Sequence, residues 1–168
     1  VWGSGASDLY AVGGPVVIHS AGDGAWTNVS PGLGATLRGV AGVAGNEVYV
    51  VGVQSEILHA TSPMAWSISD GTIRDLRAIR AVATDVYAVG GLGAILVHRS
   101  GTAGWLTQIS TTPVDYLFDV WGASPTDLYA VGTKNTVLHS DGSGSWSPQS
   151  DVEGVVATTL RSVHGTGS

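Results

Sequence analysis

The chain has 168 residues, a formal net charge of −6, a single lysine (Lys134) and no cysteine. Nothing in it resembles the clustered Lys and Arg needed to displace counterions from nucleic acid, or a run of membrane-spanning length, which argues against nucleic-acid binding and membrane insertion. Twenty-five glycines beside a charged fraction of only 12% point to short buried strands joined by tight turns.

In chain order, the opening VWG at residue 1 is followed by DLYAVG at 8, IHS at 18 and Trp26. LRGVAG from 37 then begins a second series: EVYVVG at 47, SEILHA at 55, and WSIS at 66. LRAIRA from 76 begins a third, with YAVG at 87, His98 and Trp105. LFDVWG from 117 begins a fourth, with DLYAVG at 127, LHS at 138 and Trp146, and LRSVHG from 160 starts the series again. Each short segment is β-branched or aromatic between polar entries and closing glycines, the pattern of a strand. None has helical periodicity.

The series are one unit repeated. Tyr10, Tyr49, Tyr87 and Tyr129 each follow an acid by two residues: Asp8, Glu47, Asp85 and Asp127. His19, His59, His98 and His139 come nine to eleven residues after the tyrosines, and Trp26, Trp66, Trp105 and Trp146 always seven after the histidines. A period of about forty residues holding four strands is that of a β-propeller blade, apolar on both faces because neighbours sandwich it. The expected fold is all-β: a single propeller domain over residues 1–168, with repeats at about 1–39, 40–78, 79–119 and 120–162.

The phrases VWG-S-D-L-YAVG, L-H-S and G-x-W resemble bacterial secreted propeller repeats of the BNR or Asp-box type, and are similar to repeats of photosystem II assembly-factor propellers. That resemblance implies a propeller fold and export to the periplasm, the cell surface or the medium. HSAGDGAW at 19 and HSDGSGSW at 139 keep parts of the Asp box and HATSPMAW at 59 does not, so a turn role is the most it implies here.

Residues 160–168 are a surplus first strand, whereas blade one begins with a clipped VWG. The surplus strand could close a four-bladed ring or complete blade one of a second copy, or the chain could be half, or a fragment, of a larger ring. Exposed strand edges self-associate, so the expectation is an arc that pairs with more blades through its incomplete terminal blades.

Equivalent positions in different blades diverge around a ring, so the four histidines are not expected to share a metal and no cofactor is implied. The histidines are read as bonding their neighbouring turns, and the acids before the tyrosines as accepting backbone N–H groups in Asx turns. The tryptophans are read as blade-to-blade packing. Arg38, Arg77 and Arg161 share a position at the start of the inner strand, with Phe118 in the fourth, and could make a partial ring for an anionic ligand. The longest blade-to-blade segments follow Trp105 and Trp146, which places candidate ligand-binding residues at Asp115, Tyr116, Asp151 and Glu153, with Trp121 nearby. The expected function is a non-catalytic binding or scaffold module with a protein or glycan ligand. The alternatives are a lectin with repeated aromatic pockets and a fragment of a BNR-type glycoside hydrolase.

Overall fold

A computed structural model describes residues 1–43, 47–53, 55–98, 104–149, 156 and 158–166. Among these residues sixteen strands form four antiparallel meanders. Blade one contains β1 (Trp2–Gly5), β2 (Asp8–Gly13), β3 (Val16–Ser20) and β4 (Thr27–Asn28). Blade two contains β5 (Thr36–Gly42), β6 (Val48–Val53), β7 (Ser55–Ala60) and β8 (Trp66–Arg74). Blade three contains β9 (Leu76–Val82), β10 (Asp85–Gly90), β11 (Ile95–His98) and β12 (Leu106–Ser110). Blade four contains β13 (Leu117–Ser124), β14 (Asp127–Gly132), β15 (Val137–Ser140) and β16 (Ser145–Pro148). The repeat boundaries at 39, 78 and 119 therefore fall inside β5, β9 and β13.

The core lies between blades. Tyr10 and Val17 of blade one pack on Val40, Val50 and Leu58 of blade two. Tyr49, Val51 and Ile57 pack on Leu76, Val86 and Leu96, and Tyr87, Val89 and Ile95 on Leu117, Leu128 and Leu138. Each blade thus shows one neighbour a tyrosine-led face and the other an aliphatic face. The glycine closing the YAVG or YVVG phrase is required by this architecture in blades two, three and four. A Cβ on Gly52, Gly90 or Gly132 would lie 2.1–2.2 Å from the carbonyl oxygen of Thr36, Asp75 or Tyr116, where the chain enters the inner strand.

Two features differ from simple radial sheets. β12 leaves its blade to pair in parallel with β16, through Ile109↔Ser145 and Ser110↔Trp146, and so joins blades three and four into one eight-stranded sheet. Residues 158–166 form no strand pairing with blade one, which sets aside the closed four-bladed ring. They lie along blade four instead: Leu160 N–H donates to Gly132 O at 2.9 Å, and Asp119 Oδ2 accepts from Ser162 Oγ and from the Val163 N–H. Among the described residues the chain is an open arc of four blades.

Candidate functional site

Alternate turns of a meander lie at opposite ends of its strands. The turns between second and third strands and the linkers between blades therefore share one face of the arc. On that face a cleft of about 950 Å³ opens at the end of blade three, beside its linker to blade four. Asp75, Leu92, Ile109, Thr112, Val114 and Tyr116 line it.

Leu92 is the tip of the GGLG turn and is 94% exposed. Its φ of 55° is left-handed, a region that leucine, unlike glycine, enters only at a cost. Neighbouring segments hold it there. Gly91 N–H donates to Asp75 O at 2.7 Å, and Leu92 N–H donates to Asp115 O at 2.6 Å. Across the cleft Ile109, also 71% exposed, stands on the strand that bridges the two blades. Tyr116 forms the inner wall and leads into a stack of alternating cations and rings. The Arg77 guanidinium lies 5.0 Å from the Tyr116 ring and 5.4 Å from the Phe118 ring, and the Arg161 guanidinium lies 5.2 Å from the same Phe118 ring. These distances are those of cation–π attraction. Lys134 pairs with Asp115 at 2.9 Å on the exposed rim.

The expected site residues thus fall in different places. Tyr116 lines the cleft and Asp115 supports its turn. Arg77 and Arg161 join at Phe118, whereas Arg38 stays exposed on the same face. Trp121 is absent from the cleft: it sits further along β13, where Gly165 packs on its ring and His164 meets it edge-on. Asp151 and Glu153 lie outside the described residues. Leu92 and Ile109 were not anticipated, although a lone large apolar residue between glycines in the turn was a readable signal.

The opposite face is structural, and two expectations about it need correction. Three of the four acids before the tyrosines, those of blades one, two and four, accept from histidine rather than from a turn N–H. Asp8 lies 2.9 Å from His19 Nε2, Glu47 3.0 Å from His59 Nε2 and Asp127 3.0 Å from His139 Nε2. The register explains this, because Tyr10 pairs with His19, Tyr49 with His59 and Tyr129 with His139. The acid two residues earlier is then the histidine's diagonal neighbour on one sheet face. In blade three, however, Tyr87 pairs with Val97, so His98 is one residue out of step and points to the other face. There it meets Tyr49 of blade two at 5.3 Å and Trp105 at 5.6 Å. His59 and His98 consequently flank one tyrosine ring rather than standing far apart. Burial lowers the His98 pKa from its ordinary value, offset in part by Glu47 and Asp85. The Asx turns occur elsewhere: Asp23 Oδ1 accepts from Ala25 N–H and Asp141 Oδ1 from Ser143 N–H, the turn role of the degenerate Asp boxes.

No protein-family model matches the sequence, and no curated protein matches it. Solved structures do. One, described as YCF48 bound to D1 peptide, superposes with a TM-score of 0.67 at 19% identity, over 91% of this chain and 53% of that one. Another, YCF48 from Cyanidioschyzon merolae, superposes with a TM-score of 0.69 at 14% identity, over 96% of this chain and 58% of its own. The chain spans little more than half the length of these proteins. In fold, it is similar to the photosystem II assembly-factor propellers.

Proposed function

We propose that the chain is a non-catalytic propeller module that holds an extended, largely apolar segment of a partner protein in the cleft beside its third blade and the linker that follows it. The observation that carries this reading is Leu92, an apolar side chain almost wholly in solvent on a backbone that costs about 1–3 kcal/mol to hold. Such a residue gains no packing in the free protein, and a partner supplies the missing contact. Ile109 and Tyr116 give the cleft two further apolar walls. A propeller of similar fold is described as bound to D1 peptide, which supports a protein ligand.

The glycan readings lose their footing. Three of the four repeated tryptophans lie in blade joints with their N–H groups engaged, so they offer no sugar-stacking platform. Arg77 and Arg161 are stacked on Phe118, not free to clamp a substrate carboxylate.

The test is an array of unstructured peptides of mixed sequence probed with the 168-residue chain. Peptides rich in apolar residues should be retained, and Leu92→Asp should weaken them by about thirtyfold, the effect of losing one interface hot spot. Retention unaltered by Leu92→Asp, or no retained peptide, would refute the reading.

A further inference from the structure

The cleft beside blade three has a main-chain feature that its apolar walls do not account for. β12 pairs with β11 only as far as Ile95↔Gln108, and the same register carried further would set Ser110 opposite Gly93. The ladder stops there because the GGLG turn closes on itself. Ala94 N–H donates to Gly91 O at 3.1 Å, and Gly93 turns left-handed at a φ of 62° against Val114. β11 and β12 therefore fork, and Gly93 and Ser110 both line the cleft that opens inside the fork.

Past the fork, β12 gives its other edge to blade four. Ile109 N–H donates to Gly144 O at 3.3 Å, and Thr111 N–H donates to Trp146 O at 2.9 Å. Successive residues of a strand direct their main-chain groups to alternate edges. Ser110 thus turns its N–H and C=O the opposite way, toward Gly93 and into the cleft. Neither the ladder with β11 nor the pairing with β16 uses these two groups, and among the described residues no backbone bond from the turn replaces them. The Ser110 hydroxyl is engaged within its own loop, accepting from Thr112 N–H at 3.3 Å and donating to Thr112 O at 2.7 Å. A strand residue with its donor and its acceptor both open on one edge is half of an antiparallel rung.

We infer that the partner segment enters the cleft as a β-strand, one residue of which exchanges both main-chain hydrogen bonds with Ser110 inside the fork. This rests on the reading above, that the cleft holds an extended apolar segment, and adds what selects that segment. The segment runs antiparallel to β12, because only in an antiparallel pair do two opposite residues exchange both bonds. Side chains of a strand alternate between faces, so the residue opposite Ser110 shares its face and the residues on either side share that of Ile109. Ile109 is 71% exposed, so these two flanking positions are the apolar ones. The recognised pattern is apolar, any residue, apolar, and the middle residue must carry an N–H, which excludes proline. Main-chain bonds then supply affinity and the alternate side chains supply selectivity, the division found wherever a strand is added to an exposed edge.

The probes are acetylated, amidated heptapeptides with valine or leucine at the third and fifth places and serine or threonine elsewhere, titrated against the unaltered chain by calorimetry. N-methylation of the fourth amide should weaken binding about tenfold, the loss of one main-chain bond, while N-methylation of the third or fifth should change it less than about threefold. Moving the two apolar residues to adjacent places should also weaken binding about tenfold. Equal effects of N-methylation at all three places, or adjacent pairs bound as tightly as spaced ones, would overturn the strand pairing alone, and Leu92→Asp would still weaken the same peptides. No binding of any heptapeptide, spaced or adjacent, at about 1 mM would overturn the pairing and the apolar cleft together.

Discussion

Trp146 and Gln108 meet across the joint between blades three and four, the indole N–H 2.7 Å from the amide oxygen, with Trp146 fully buried and Gln108 nearly so. A buried tryptophan contributes its area and also needs a partner for its one polar atom. Here the partner comes from the preceding blade, so one contact both fills the core and fixes how the two sheets sit. Gln108→Leu keeps volume but strands the indole N–H, which should cost about 1–3 kcal/mol. Trp146→Phe with Gln108→Leu removes both polar groups and should recover part of that loss. Chemical denaturation of these two variants and of Trp146→Phe alone checks it, and additive losses would speak against a coupled pair.

The glycines at the ends of the second strands make a sharper prediction. A methyl group on Gly90 would lie 2.1 Å from Asp75 O and 2.7 Å from Leu76 Cα, both backbone atoms that cannot swing aside. Gly90→Ala should cost upwards of about 4 kcal/mol, in the range reserved for severe core lesions, or abolish folding. Gly13 is the matching glycine in blade one, where nothing lies within 4 Å of the added atom. Gly13→Ala should therefore be nearly silent in the isolated chain, and thermal melts of the two variants separate steric demand from helix-or-strand propensity.

The blade period was legible because each blade solves the same packing problem, and tyrosine, glycine and tryptophan recur where that problem is hardest. The acid–histidine pairs were half legible. Their spacing was plain, but their partnership depends on cross-strand register. Nine, ten or eleven residues look equivalent in a list, whereas in a strand of period two one extra residue carries His98 to the opposite face. The acceptors of the joint could not be read at all. A main-chain oxygen at Val29, a hydroxyl at Ser69 and an amide at Gln108 serve one role, and the first leaves no mark on the sequence. In the cleft, loop length pointed to Asp115 and Tyr116, yet Ile109 could not be found that way. It lies there because β12 leaves its own blade to pair with β16, a tertiary event without a local motif.

The displaced histidine gives a pH effect of definite sign. Burial against Tyr49 and Trp105 holds the His98 pKa below its ordinary 6.5, with His59 opposing protonation and Glu47 and Asp85 favouring it. The unfolded chain therefore binds this proton more readily. Stability from the neutral imidazole is complete above pH 6.5 and is lost as pH falls through that value towards the folded-state pKa. His98→Ala, which installs the residue found at the matching Ala60, loses packing at every pH and also removes this dependence. The stability gap between parent and variant should narrow as pH falls from 8 to 5 in urea titrations, by an amount set at His98 alone. A gap that widens towards acid would mean that protonation favours the folded form.

Tyr10 and Tyr49 occupy the same place in adjacent blades but differ in what their hydroxyls find. Tyr49 OH donates to Glu47 Oε2 at 3.1 Å, on the oxygen that also binds His59. Tyr10 OH is buried with no hydrogen-bond partner among the described residues, and burial, with Asp8 nearby, raises its pKa. A buried hydroxyl left unpaired carries its desolvation cost with no return, whereas removing a paired one strands its acceptor. Tyr10→Phe should be neutral or stabilising by up to about 1 kcal/mol, and Tyr49→Phe should destabilise by about 1 kcal/mol, because Glu47 keeps only its histidine. Urea midpoints measured at one fixed pH compare the two. Equal losses would show that the Tyr10 hydroxyl is hydrated in solution, and the two blades would then be equivalent in energy as well as in sequence.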